Sequence, residues 1–169
     1  MKQKKNKSLF VAEIAAFCII LAGCAAKPIN QDLEGFLGIA WGENITTAVS
    51  ILKENDFTIK HIGSEHEGIR GIYAEGIFMN EDVYLHLLFY NDKFESTNIR
   101  FKKTNNLELY NEISNLLTEK YGKPFIESKT VFIQNARWNF RNSSWISASY
   151  NFELNSMGLL CANDTIRRE

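Results

Sequence analysis

From Gly35 onward the apolar residues follow two spacings, and the pair of spacings occurs twice along the chain. Ile45, Ala48, Val49 and Leu52 fall at i, i+3, i+4 and i+7, one buried helical stripe, and Asn44 can cap it; this predicts a helix over 45–55. Tyr110, Ile113, Leu117 and Tyr121 share a face of a second helix predicted over 105–121. Asn105 and Glu108 are spaced as a capping box at its start, Gly122 supplies a left-handed residue at its end, and Pro124 blocks continuation. Elsewhere the period is two. Val83, Leu85, Leu87 and Phe89 alternate with Tyr84, His86, Leu88 and Tyr90, and the chain turns at Asn91-Asp92. Thr97, Ile99 and Phe101 then alternate with Asn98, Arg100 and Lys102. Ile146, Ala148, Tyr150, Phe152 and Leu154 alternate with Ser147, Ser149, Asn151 and Glu153. Such strands bury one face and wet the other, as in an antiparallel sheet covered on one side by helices.

The predicted order is a helix, then strands near 57–62, 69–79, 82–90 and 94–103, then a helix and strands near 125–133, 136–141, 145–154 and 158–163. The fold class expected is α+β: an antiparallel β-sheet with two helices packed on one face. The offset of roughly 60 residues between the halves suggests a duplicated helix-plus-β-meander unit. No Pro/Gly/Ser-rich linker interrupts 35–164, which reads as a single domain followed by a short tail, 165–169.

The first residues follow a different logic. Residues 1–8 are basic and polar, and Leu9 to Leu21 is apolar except for Glu13. That run is too short for a permanent span, which needs ~20 residues, and reads as the apolar core of a signal peptide. Leu21-Ala22-Gly23-Cys24 resembles the lipobox of bacterial lipoproteins, all four positions matching. The resemblance implies diacylglycerol on the Cys24 thiol and cleavage by signal peptidase II between Gly23 and Cys24. It divides the chain into a signal peptide (1–23), a lipidated tether (24–34) and the domain. Two or three acyl chains give stable anchoring where one does not, so the membrane is a partner through acylated Cys24. Ala25, in place of Asp, implies the outer membrane of a diderm or the outer face of a monoderm's cell membrane.

Phe36-Leu37-Gly38-Ile39-Ala40-Trp41-Gly42 before the first helix and Lys120-Tyr121-Gly122-Lys123-Pro124 closing the second resemble small exported bacterial lipoproteins of unknown function. Those are similar in layout to β-lactamase-inhibitor-protein-like domains and to the small lipoproteins of outer-membrane assembly. The resemblance implies a non-enzymatic binding or assembly module and transfers no functional residue.

Charge sharpens the division at Gly23. The whole chain of 169 residues carries 19 Lys+Arg against 20 Asp+Glu, but removing 1–23 leaves 146 residues with 15 bases and 19 acids. A mildly acidic domain lacks the basic clusters that displace counterions from phosphates, which argues against nucleic acid and against a polybasic membrane contact. Of the three cysteines Cys18 leaves with the signal and Cys24 is acylated; Cys161, in an apolar stretch, reads as a small buried hydrophobe.

No catalytic residue, cofactor or metal site is assigned from the motifs. His66-Glu67 lacks the second histidine of a zincin, the inverted motif fails by one residue, and Gly63 and Gly68 disfavour a helix there, so His61 to His66 reads as a solvated turn. Aromatics are the remaining lead. Tyr84, His86 and Tyr90 lie on the strand face expected to be wet, and Trp138 and Trp145 are added to them as a candidate binding face for an envelope protein or glycan. The alternative is an envelope hydrolase using carboxylates or His61 and His66. Replacing Cys24 by Ser is expected to abolish acylation and leave the precursor uncleaved; palmitate labelling and membrane fractionation check this, and a Ser variant that still labels refutes the lipobox.

Overall fold

The computed structural model describes residues 29–103 and 107–168. The lipobox with Cys24, the leader cysteine Cys18 and the expected capping residue Asn105 lie outside them.

Helix α1 (Ile45–Glu54) starts where predicted, because Asn44 is extended and its Oδ1 accepts the Thr47 N–H at 3.0 Å. It buries Ile45, Ala48 and Leu52 and ends at Asp56, whose φ of 61° turns the chain out of the helix. Helix α2 (Leu107–Tyr121) buries Leu109, Tyr110 and Ile113. It stops at Gly122, which has φ 82° and donates its N–H to the Thr118 carbonyl at 2.8 Å.

A short hairpin, β1 (Gly35–Phe36) and β2 (Ile39–Ala40), precedes α1. The first meander is β3 (Thr58–Ile62), β4 (Ile69–Phe78), β5 (Glu81–Tyr90) and β6 (Lys93–Phe101). The second, after α2, is β7 (Ile126–Lys129), β8 (Ile133–Asn139), β9 (Ser144–Asn151) and β10 (Ser156–Asn163), with a 3-10 turn at Ile166–Arg168. All eight strands form one antiparallel sheet in the order β3-β4-β5-β6-β10-β9-β8-β7. The chain is therefore richer in strand than the expected α+β balance, with two helices serving one large sheet.

Two-residue turns set the tight hairpins. Asn91-Asp92 closes β5–β6 with φ of 47° and 62°, and Met79-Asn80 closes β4–β5 with 53° and 61°. Paired positive φ values match the twist of the flanking strands, and they take Met79 out of the strand predicted to include it. The predicted strand 125–133 is also shorter, because Thr130 Oγ1 accepts the N–H groups of Phe132 and Ile133 and makes a turn. Leu154 leaves the predicted inner face for a similar reason: β9 ends at Asn151, whose Oδ1 accepts the Leu154 N–H at 2.8 Å, and Leu154 is 66% exposed.

The register places Ala74, Leu85, Ile99, Leu159, Ala148 and Ala136 in one row across six strands, each at most 3% exposed. Both helices pack their buried residues against this face in a single core. Each fully buried Leu or Ile contributes about 1.5–3 kcal/mol, so Leu85, Ile99 and Leu159 carry most of what this row adds to stability. Cys161 lies in this core, fully buried, and burial pushes its thiol well above the ordinary range.

Trp138 corrects the sequence reading. It pairs with Ile146, points into the core with Ala136 and Phe140, is 0% exposed and donates Nε1–H to the Gly122 carbonyl at 2.9 Å. Alternation from Ala136 turns Trp138 inward and Arg137 outward, so Trp138 does not belong to a binding face. Trp138→Ala is expected to destabilise the fold by about 3–5 kcal/mol and Trp145→Ala by about 1–2 kcal/mol. Urea unfolding of the two variants checks the contrast, and equal losses would contradict the inward placement.

Candidate functional site

The sheet face opposite the helices follows from the same register. Moving one residue along each strand from the core row gives Tyr73, His86, Asn98, Leu160, Ser147 and Arg137 as neighbours across β4, β5, β6, β10, β9 and β8. At ~4.8 Å between strands this row is about 24 Å wide. Tyr73 is 47% and Tyr84 50% exposed, and Asn98 and Arg100 are exposed beside them. His86, Tyr90 and Trp145 are half-buried on the same face. Four of the five residues proposed from sequence therefore lie on this face.

One wing is an aromatic stack spread over three strands. The His86 and Tyr73 rings lie 4.0 Å apart and 10° from parallel, and His61 on β3 continues the stack 6.2 Å beyond Tyr73. Gly71 makes this possible: a Cβ there would stand 2.8 Å from His86 Nε2. The glycine lets the imidazole lie down on the sheet, where lost hydration favours its neutral form. Burial accordingly lowers the His86 pKa from its ordinary value.

Tyr84 occupies the next row. The Lys102 ammonium sits 4.5 Å from the Tyr84 ring centroid and 2.8 Å from a Glu75 carboxylate oxygen, with Lys60 3.7 Å from the same oxygen. The hydrogen bond from Lys102 holds the Glu75 carboxyl below the usual range. Glu75 is thereby committed as an acceptor in an ion pair that braces the tyrosine.

The second wing surrounds Trp145. The Arg137 guanidinium lies 4.2 Å from the Trp145 ring centroid, and its Nε donates to Asn139 Oδ1 at 2.8 Å. Trp145 Nε1–H donates to Asp164 Oδ1 at 2.9 Å. These residues border a cleft of about 540 Å³ with Arg141 and Asn30. Between the wings the floor carries Asn98, Arg100 and Leu160 among shorter side chains or none at Ser96, Gly158, Ala162, Ser147 and Ser149. The result is a broad shallow surface with fixed rings on both sides, suited to contact with another surface.

The histidines do not converge on a metal or a nucleophile. Tyr73 separates His61 from His86, and His66 lies in the exposed turn where its backbone pairs with Ile69. Among the described residues no group of three His, Cys, Asp or Glu side chains is placed to hold a metal ion. Sequence reasoning missed Tyr73, Arg137 and Asp164. Alternation through Ile72, Tyr73, Ala74 and Glu75 carries the signal for Tyr73; Asp164 meets Trp145 only through the pairing of β9 with β10.

Because His86 has a lowered pKa in the fold, the unfolded chain binds its proton first as the pH falls. Stability from this group is complete above about pH 6.5, the unfolded value, and declines below it until the folded form also titrates. NMR titration of His86 should give a midpoint below 6.5, and His86→Gln should remove this part of the acid loss in melting temperature; a midpoint above 6.5 would contradict the desolvated stack. The chain matches no known protein family, no curated protein and no solved structure.

Proposed function

We propose that the mature chain is a lipid-anchored lipoprotein of the bacterial envelope, a non-enzymatic binding or assembly module that engages an envelope protein or glycan on its open sheet face. The observation that carries the binding half is the pair Tyr73 and Tyr84. Both rings are about half exposed on adjacent strands, and both are held in place, one by stacking on His86 and one by Lys102. Rigid exposed aromatics give large contact area at low entropic cost. The anchoring half rests on Leu21-Ala22-Gly23-Cys24. No helix among the described residues is long and apolar enough to cross a membrane.

In this reading the two helix-plus-meander halves are copies of one unit. Their fusion through β6 and β10 yields a face twice as wide as either half provides. A flat face of this size fits a macromolecular partner better than a small ligand, which needs concave burial.

The test places a photocrosslinking amino acid at Tyr73, at Tyr84 and, as a control, at the exposed Glu119 on α2, in the full chain in its native membrane. Adducts to a common partner from the first two positions and none from Glu119 are expected. Adducts from Glu119 alone would assign binding to the helical side and overturn the open-face reading. Tyr73→Ala with Tyr84→Ala should abolish recovery of that partner while costing about 1–3 kcal/mol of folding stability, which leaves the chain folded.

A further inference from the structure

The helices leave the middle of the sheet incompletely covered. α1 packs over the first half and α2 over β9 and β10, and the thin β1–β2 hairpin, which packs on α1, borders with α2 the gap that remains. Between that hairpin and α2 lies a cavity of about 610 Å³. Ile146 and Leu159 of the sheet form its floor, and Phe36, Leu37 and Leu117 its walls. Its charged side chains, Glu34 and Lys120, are exposed and therefore belong to the mouth.

Walls of this kind select the ligand. A polar ligand drawn into them would lose its hydrogen bonds to water without replacement, whereas each methylene group withdrawn from water favours the enclosed state. With ~30 Å³ as the share of a water-sized group, the cavity holds roughly twenty such groups, the bulk of one long alkyl chain.

The course of the chain supplies a candidate for that occupant. Ile29, the first described residue, pairs with Phe140 and donates its N–H to the Asn139 carbonyl at 2.9 Å. The Phe140 ring meets Tyr121 edge-on at 4.9 Å, and Tyr121 lines the cavity. Three residues after Ile29, Asp32 accepts two hydrogen bonds from Arg141, and Leu33 and Glu34 line the cavity themselves. Five residues lead from Cys24 to Ile29 and span at most about 17 Å. Cys24 is thus held within about 17 Å of Ile29, and the acyl chain it would carry extends that reach.

We infer that the cavity takes one acyl chain carried by Cys24 of the same molecule, an inference that rests on the lipoprotein reading proposed above. A bilayer offers the same chain equally apolar surroundings. The enclosed state is therefore the one favoured when the protein is away from a membrane, and insertion in the bilayer empties the cavity.

The experiment uses the full chain made in a bacterial host fed a diazirine-bearing palmitate, purified, and irradiated below the critical micelle concentration of the detergent. Label on Cys24 with intramolecular adducts on the peptides holding Leu117, Ile146 and Leu159 is the expected result. Leu117→Trp, which fills the cavity, should remove most of those adducts while Cys24 stays labelled. Label on Cys24 without cavity adducts overturns the inference and leaves the anchoring reading standing. Absence of label on Cys24 overturns both. Cavity adducts that persist in Cys24→Ser identify a free lipid as the occupant and overturn the assignment to the protein's own chain.

Discussion

Ile99 on β6 and Leu159 on β10 face each other across 60 positions of sequence, and the pairing of these two strands is the constraint on which the rest of the molecule depends. Each half alone would be a four-stranded sheet with one helix and a raw central edge. Joining the edges turns two small sheets into one of eight strands. It also fixes phase, because side chains alternate with a period of two: a slip of one residue between β6 and β10 would put the core residues of one half on the wet face of the other. With Ile99 opposite Leu159 and Thr97 opposite Cys161, both apolar faces lie on the same side and both helices share one core.

This one-sided burial produces both surfaces of interest. Since all the helical mass goes to one face, the other keeps Tyr73, Tyr84, Asn98 and Arg100 in solvent on a rigid support. Since each helix serves mainly its own half, an apolar cavity remains between the β1–β2 hairpin and α2, floored by Ile146 of β9 and Leu159 of β10. The open face and the cavity are on opposite sides of the same strands. Binding at one need not compete with filling of the other.

The strand and helix patterns were legible because each is a local property. Asn44 capping α1, Gly122 ending α2 and the Asn91-Asp92 hairpin act through neighbours in sequence, and all three are where their chemistry implies. The candidate face was legible for Tyr84, His86 and Tyr90, which lie on a long strand whose inner residues Val83, Leu85 and Leu87 fix the phase. Trp138 was not, because its strand is short and its large ring resembles a contact residue as readily as a core residue; alternation with Ala136 and Phe140 carries the inward phase, and pairing with Ile146 shows it. On β4 the same alternation, with Ile72 and Ala74 inward, turns Tyr73 outward.

The sequence by itself determined the lipobox resemblance, the order of the two helices and the eight sheet strands, the one-sided alternation of those strands and the apolar setting of Cys161, all of which depend on residues near one another in the chain. Only the tertiary structure decided that the two meanders join through β6 and β10, that His86 lies flat over Gly71 against Tyr73, and that a cavity opens beneath the hairpin. Those features arise from contacts between distant segments. Strand alternation says which residues share a face but not which strand lies beside which, and the sites are made by that adjacency.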